Sequence, residues 1–262
     1  MPTHPFIAGT IEEEFGVPIP GAILPREYWV QTGVKRWPGP GPLDFESLFG
    51  RAAPLIVELG CGNARFTLRS AIDRPDCDHF ASDLLPVVIR YATRRANQRG
   101  LSNTRFAVKD AQYVVRHALG PGAAMEIHLY HPQPYHDPRQ AHLRLVTPRF
   151  LADVHRALGA MGLFVIQTDN PEYWEYVRSV APHFFEFQEH PEPWPDAPLG
   201  RSRREILARQ RGLTIYRAAC RRKDDLAAAE RESLADKLPM PRFRTRHAAS
   251  RDLDEVERRE SP

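Results

Sequence analysis

Short apolar runs alternate with stretches of helical spacing over most of this chain, and that alternation predicts its elements. Leu55-Ile56-Val57 is a continuous apolar run of the kind that forms a strand buried on both faces. Behind Asn63, a favourable N-cap, Ala64, Leu68, Ala71 and Ile72 recur at helical spacing, and Pro75 stops the helix. His79-Phe80-Ala81-Ser82 reads as a second strand. Pro86 then opens a helix over Val87–Gln98, which Gly100 ends. Thr104–Val108 is a third strand, Ala111–Leu119 a helix, Glu126–Tyr130 a fourth strand and Thr147–Leu158 a further helix. Leu163–Ile166 gives a fifth strand, and Pro171 opens one more helix. Phe184–Phe187 and Leu213–Ala219 supply the last two strands, joined by an irregular connection that points to an antiparallel element at the sheet edge. Strands separated by helices of this length form βαβ units, and right-handed crossovers leave few topologies. The expectation is an α/β fold: a doubly wound, seven-stranded sheet, mostly parallel with one antiparallel strand.

Both ends of the chain break this pattern. Residues 1–42 are rich in Pro and Gly and end in Trp37-Pro38-Gly39-Pro40-Gly41-Pro42, so a draped or disordered extension is expected there. Residues 223–262 are dense in charge and Ala; one helix around Asp224–Leu238 and a largely disordered remainder are expected. That leaves 43–222 for the folded domain. The apolar fraction is 42 % and the net charge +3, with arginine the dominant cation and a pI of 8.8. Such a balance is compatible with nucleic acid without requiring it. Cys61, Cys77 and Cys220 are scattered, with no C-x-x-C pair, which reads as a reduced, intracellular protein without a thiolate metal site. No apolar run reaches the length of a membrane span and the N-terminus lacks a signal-peptide core, so a soluble cytoplasmic protein, monomer or homodimer, is expected.

The chemistry begins at Glu58-Leu59-Gly60-Cys61-Gly62, the turn that follows the first strand. In doubly wound sheets the ligand lies outside the carboxyl ends of the strands, where glycines let the backbone turn tightly and approach it closely. The third glycine of a dinucleotide turn is missing, residue 65 being Arg, so a cofactor without a pyrophosphate is favoured. Asp83 stands at the end of strand two, about 20 residues on, where ribose hydroxyls are bound. Asp110-Ala111, at the end of strand three, falls where an adenine amino group would lie. A lone Asp at such a place is commonly a helix N-cap. Three acids at three successive strand ends, together with the glycines, point to S-adenosylmethionine.

At this point the stretch from Gly41 to Arg222 resembles the bacterial tRNA (guanine-N7-)-methyltransferase family, whose domain is Rossmann-like. Tyr130-His131-Pro132-Gln133-Pro134-Tyr135 and the following residues to Arg144 are similar to the family's Phe-Pro-Asp-Pro-Trp and its basic run. Both prolines, Arg139 and Arg144 match without a gap, while the family's acid is Gln133, its Trp is Tyr135 and a substrate lysine is Asp137. Thr168-Asp169-Asn170-Pro171-Glu172-Tyr173 matches Thr-Asp-x-x-x-Tyr, and Ser202-Arg203-Arg204-Glu205 matches Thr-x-Phe-Glu, with Gly212 at the family's downstream spacing. The resemblance implies that Glu58, Gly60, Gly62, Asp83, Asp110, Ala111 and Gln133 hold S-adenosylmethionine. It further implies that Gln133 is the catalytic position, and that Asp137, Arg139, Arg144, Asp169, Ser202 and Glu205 meet a tRNA substrate, with Asp169, Ser202 and Glu205 on the target guanine.

Guanine N7 carries a lone pair and no proton, so its methylation needs positioning rather than a general base. The ring gains positive charge as the methyl arrives, so Gln for Asp at 133 removes a charge that would stabilise it. Guanine's Watson–Crick edge offers N–H donors, which suit the acceptor-only carboxylates of Asp169 and Glu205. Phosphate contacts are expected from Arg139, His142, Arg144 and Arg149, with Arg201, Arg203 and Arg204 as further candidates. His128, His131, His136 and His142 show no metal-binding spacing and read as satisfied or surface histidines. Two other functions stay open: a methyltransferase of this lineage with another RNA or a small-molecule acceptor, and a catalytically silent RNA-binding protein on the same fold.

Overall fold

The computed structural model describes residues 9–37, 39–243 and Leu253. Seven strands form one sheet: β1 (Leu55–Leu59), β2 (Asp78–Asp83), β3 (Thr104–Val108), β4 (Ala124–Tyr130), β5 (Leu158–Thr168), β6 (Phe185–Glu189) and β7 (Tyr216–Arg222). Their order is β3-β2-β1-β4-β5-β7-β6. All neighbours are parallel except β7, which runs antiparallel to both β5 and β6. The expected α/β architecture is therefore the observed one. The antiparallel strand is not at the edge, however: β7 is inserted between β5 and β6, because the chain must return across the sheet after β6.

Every residue of β1 is buried, as its continuous apolar run requires with helices on both faces. On one side lie α2 (Arg65–Asp73) and α3 (Pro86–Gln98), with Ala64, Leu68, Ala71, Ile89, Ala92 and Ala96 in a core cluster. On the other, α1 (Phe45–Phe49), α4 (Ala111–Tyr113), α5 (Pro148–Ala157) and α6 (Pro171–Val180) surround the larger core, centred on Val57, Ile127, Phe150, Phe164 and Ile166. Two elements are shorter or differently capped than their sequence implies. Asn63 is not the cap of α2; that place belongs to Ala64 at φ 63, and the Asn63 side chain instead donates to Glu14. The helix expected over Ala111–Leu119 stops at Tyr113 and continues as a π turn, Val114–Ala118, whose Val114, Val115 and Ala118 are all buried.

The N-terminal extension is draped over α2 and α3. Its two-residue ribbon, Glu13–Glu14 against Val17–Pro18, is followed by isolated bridges from Thr10 to Ile23 and from Gly33 to Phe106. Glu12 anchors it by ion pairs to Arg95 and Arg99, each at 3.0 Å. The charged C-terminal stretch carries the helix expected around Asp224–Leu238, and it is docked on the domain as far as Phe243. Helix α8 (Ala228–Lys237) packs along α5, Arg149 pairs with Glu232 and Asp236, and Phe243 closes against Tyr173 at 4.9 Å. Apolar Leu226, Leu234 and Leu238, interleaved with the charges, are what dock it. Residues 244–252 and 254–262 of the expected tail lie outside the described residues. No helix among the described residues is long and apolar enough to cross a membrane.

Candidate active site

The candidate residues gather at the carboxyl ends of β1 to β5. On the β1 side the turn is a backbone construction. Gly60 (φ 70) and Gly62 (φ 49) are left-handed, a region that penalises side chains, and a Cβ on either would meet nothing within 4 Å. The chain thus bends beside open space. Gly60 N–H and Cys61 N–H donate to Ser82 O at 2.8 and 2.9 Å, which ties the turn to the end of β2. Asp83 completes the brace: its Oδ2 accepts from Gly62 N–H at 3.2 Å and its Oδ1 from Leu85 N–H at 3.0 Å. Asp110 caps α4 by accepting from Tyr113 N–H at 2.8 Å. Both acids therefore also do local backbone work.

Glu58 is 3 % exposed, and its Oε2 accepts from both the N–H and the hydroxyl of Thr67. Among the described residues no cation forms a hydrogen bond or ion pair with it, and Arg201 acts on it only through space. Burial outweighs the Thr67 hydrogen bonds and pushes its carboxyl up to about 8, with a further small push from Asp83. With its carboxyl at about 8, this acid favours the protonated form at neutral pH.

The β4–β5 side is held by side chains instead. His131, the first residue beyond β4, has φ 52, and Tyr135 four positions on has φ 45, so Pro132, Gln133 and Pro134 sit on a loop with a strained residue at each end. His131 Nδ1 lies 2.8 Å from Asp169 Oδ1 and its Nε2 lies 2.9 Å from Gln167 Nε2. A carboxylate can only accept, so Nδ1 carries the hydrogen and Nε2 accepts from the amide. Arg204 grips Asp169 in a bidentate fork, Nε–Oδ1 at 2.8 Å and Nη2–Oδ2 at 2.9 Å. Burial alone would raise the Asp169 carboxyl, but His131 and Arg204 overcome it and hold the group far below the usual carboxylate range.

Gln167 links this cluster to Glu205, which is fully buried. Glu205 accepts from Gln167 Nε2 at 3.0 Å, Arg201 N–H at 2.8 Å and Arg217 Nη2 at 2.5 Å. Burial pushes its carboxyl up, yet Arg217 and Gln167 leave it below its ordinary value. Gln167 Oε1 in turn accepts from Trp194 Nε1 and Arg217 Nε, so all of that amide's capacity is used. A second chain runs beside it. Glu126 accepts from His128 Nε2–H, Tyr130 O–H donates to His128 Nδ1, and Arg201 Nη1 donates to Tyr130. Burial pushes His128 down to about 4, so this chain carries a neutral imidazole.

These contacts show how several of the expected substrate residues are held within the fold. Arg144 is 5 % exposed and donates to the carbonyls of Pro134, Tyr135 and Pro241, stacking on Phe243; it fastens the loop to the C-terminal segment and offers no fork to a phosphate. Asp137 caps the 3₁₀ turn Pro138–Leu143 and holds Arg139, whose side chain is otherwise exposed. Arg149 is paired with α8, and Arg204 with Asp169. Asp169 is not the cap of α6, since Asn170 takes that place. Gln133 is exposed at the crest of its loop.

The region 188–212 holds a helix that its irregular pattern did not suggest: α7 (Arg203–Gln210). Its signal was present in Ser202-x-x-Glu205, the spacing of a capping box, and Ser202 Oγ does accept from Glu205 N–H at 3.1 Å. Also unforeseen were Gln167, Arg217 and the Glu126-x-His128-x-Tyr130 series. Polar residues at alternate positions of otherwise buried strands are their signature, because that spacing puts them on one face.

A family model described as "Putative methyltransferase" matches residues 52–218. A curated tRNA (guanine-N(7)-)-methyltransferase of Paracidovorax citrulli is 36 % identical over 141 residues, 54 % of this chain and 57 % of that protein. The like-named protein of Rubrobacter xylanophilus is 30 % identical over 187 residues, 70 % of this chain and 82 % of that protein. That of Arthrobacter sp. is 34 % identical, and the match covers 50 % of its length. The chain thus spans about half to two thirds of several of the curated relatives it matches. Among solved structures, a 16S rRNA (adenine(1408)-N(1))-methyltransferase from Catenulisporales acidiphilia shares the fold. Its TM-score is 0.50 at 18 % identity, covering 70 % of this chain and 92 % of that one.

Proposed function

The chain belongs to this methyltransferase family, whose curated members include the tRNA (guanine-N(7)-)-methyltransferases, and on that premise we propose that it uses S-adenosylmethionine to form N7-methylguanine in tRNA, in the variable loop. The observation that carries the cofactor is Glu58: a buried carboxyl with no ion-pair partner among the described residues, beside a glycine turn that borders open space. A ligand bearing an ammonium and a sulfonium would supply the missing charge, and the carboxyl would ionise as it binds. Asp83 and Asp110-Ala111 lie at the ends of β2 and β3, in reach of a ribose and an adenine laid across them. The acceptor rests on the relatives' names and on the ordered motifs from Pro132 to Glu205.

S-adenosylmethionine supplies a methyl on sulfonium: the N7–C bond forms as the C–S bond breaks, sulfur leaves as a neutral thioether, and the purine takes the positive charge. The protein's part is to hold N7 in line with that methyl and to exclude water. Gln133 presents a carbonyl where the purine becomes cationic, a weaker stabiliser than a carboxylate. Gln133→Asp is therefore expected to speed methyl transfer; an unchanged or slower rate means that the pocket is built around the amide.

Mass spectrometry of tRNA nucleosides from a strain lacking this gene tests the reading. N7-methylguanine should fall, and an unchanged level with no second enzyme present overturns it. One observation favours a second reading, a methyltransferase of this lineage with another acceptor. Asp169 and Glu205 are already saturated by Arg204, His131 and Arg217, and Arg144 is buried, so the groups expected to read guanine and phosphate are occupied. Transfer to a non-tRNA acceptor with none to tRNA would establish it.

A further inference from the structure

Asp169 is 7 % exposed and takes hydrogen bonds from His131 and from both arms of the Arg204 fork. Both donors stand where the related sequence pattern has phenylalanine. His131 heads Pro132-Gln133-Pro134-Tyr135 against Phe-Pro-Asp-Pro-Trp, and Arg204 fills the third place of Ser202-Arg203-Arg204-Glu205 against Thr-x-Phe-Glu. Two side chains far apart in sequence thus converge on one carboxylate. Without these donors such an acid would need an incoming N–H donor to satisfy it, because an unpaired buried carboxylate is costly. Here the protein satisfies it alone.

His131 is also the entry to the loop that carries Gln133. Its N–H donates to Gln167 O at 2.7 Å, its ring is held by Asp169 and Gln167, and its backbone keeps the left-handed φ of 52. The far end of the loop, Tyr135 at φ 45, is held by Arg144 through the carbonyls of Pro134 and Tyr135. Strained backbone of this kind persists only where its surroundings over-determine it. Gln133 stands exposed between the two anchors. Resting on the methyl-transfer reading above, we infer that Asp169 is a positioning residue: through His131 it fixes the strained loop that presents Gln133, and it does not touch the acceptor base.

Steady-state methylation of tRNA by wild type and by the His131→Phe, His131→Asn, Asp169→Asn and H131F/R204F variants tests this. A loosened loop misplaces the reacting groups, so His131→Phe should lower kcat on the order of 10²-fold with KM for tRNA nearly constant. His131→Asn, which keeps a donor for Asp169, should recover most of the loss. If Asp169 instead reads the base, Asp169→Asn will raise KM at constant kcat, or the H131F/R204F variant will be faster than wild type by freeing the acid; either result overturns the inference. Should wild type transfer nothing to tRNA, the proposed function fails, and amide hydrogen exchange decides the inference without any substrate. Exchange at Gln133, Tyr135 and His136 should be at least about tenfold faster in His131→Phe than in wild type, and equal exchange overturns it.

Discussion

Two regions of this molecule bury acids at strand ends and treat them in opposite ways. On the β1 side, Glu58 has two Thr67 donors and, among the described residues, no ion-pair partner, and burial raises its carboxyl to about 8. On the β5–α7 side, Asp169 and Glu205 each meet an arginine, and the same burial fails to raise either. The difference teaches that burial alone does not set the charge of a site; whether the fold supplies the counter-ion does. The β1 side keeps its acid near neutrality without an ion pair among the described residues. The β5 side is closed upon itself.

The comparison is broken most severely by removing an acid from the closed side. Glu205→Ala leaves Arg217, 4 % exposed, without its carboxylate, and should cost about 3–5 kcal/mol of unfolding free energy in urea titration. A variant within 1 kcal/mol of wild type would show that the network bears little of the stability.

Glu58 tests the open side through pH. Its folded pKa lies above the ordinary 4.5, so the native state keeps a proton that the unfolded chain has lost, and its contribution falls as pH rises toward 8. His79 and His128 are pushed down to about 3 and 4 by burial and act in the opposite sense below about pH 6.5. From there to pH 8 Glu58 acts without them, at up to about 1.4 kcal/mol per unit. Glu58→Gln should flatten the stability curve over that window, and S-adenosylmethionine should restore stability to wild type at pH 8 more than to the variant. Equal slopes would remove the basis for a protonated Glu58 on the cofactor side.

Smaller effects sharpen the point that the β1 turn is set by backbone. Gly60→Ala, at φ 70 with no steric obstacle, should cost about 1–2 kcal/mol from conformation alone and weaken S-adenosylmethionine binding in calorimetry. Ala64→Gly is the converse. Ala64 occupies φ 63 at the start of α2, so glycine should raise stability by about 0.5–1 kcal/mol in thermal denaturation, net of its greater unfolded-state entropy. A loss would mean that the buried Ala64 methyl matters more than its backbone strain.

The sheet, most of its strand boundaries to within a few residues and the glycine turn after β1 were legible in the chain itself. Each is written in neighbouring residues: an apolar run for β1, glycines where φ must be positive, Pro86 and Pro171 at helix starts. So was the short list of acids at strand ends. Where β7 enters the sheet was not legible, nor was α7, although Ser202-x-x-Glu205 was its capping signal. The contacts that hold both terminal segments in place emerged only in the fold, such as Glu12 with Arg95 and Arg149 with α8.

The roles of the charged side chains were decided by tertiary structure alone. Sequence assigns Arg144 a charge and a place after the loop; only the fold shows that its guanidinium is spent on three carbonyls. Asp169 reads equally as a helix cap or a base reader until α7 brings Arg204 against it. The physical reason is range. Backbone conformation is fixed by a few adjacent residues, whereas the ionisation and availability of a buried group are fixed by whichever side chains distant parts of the chain bring within hydrogen-bonding distance.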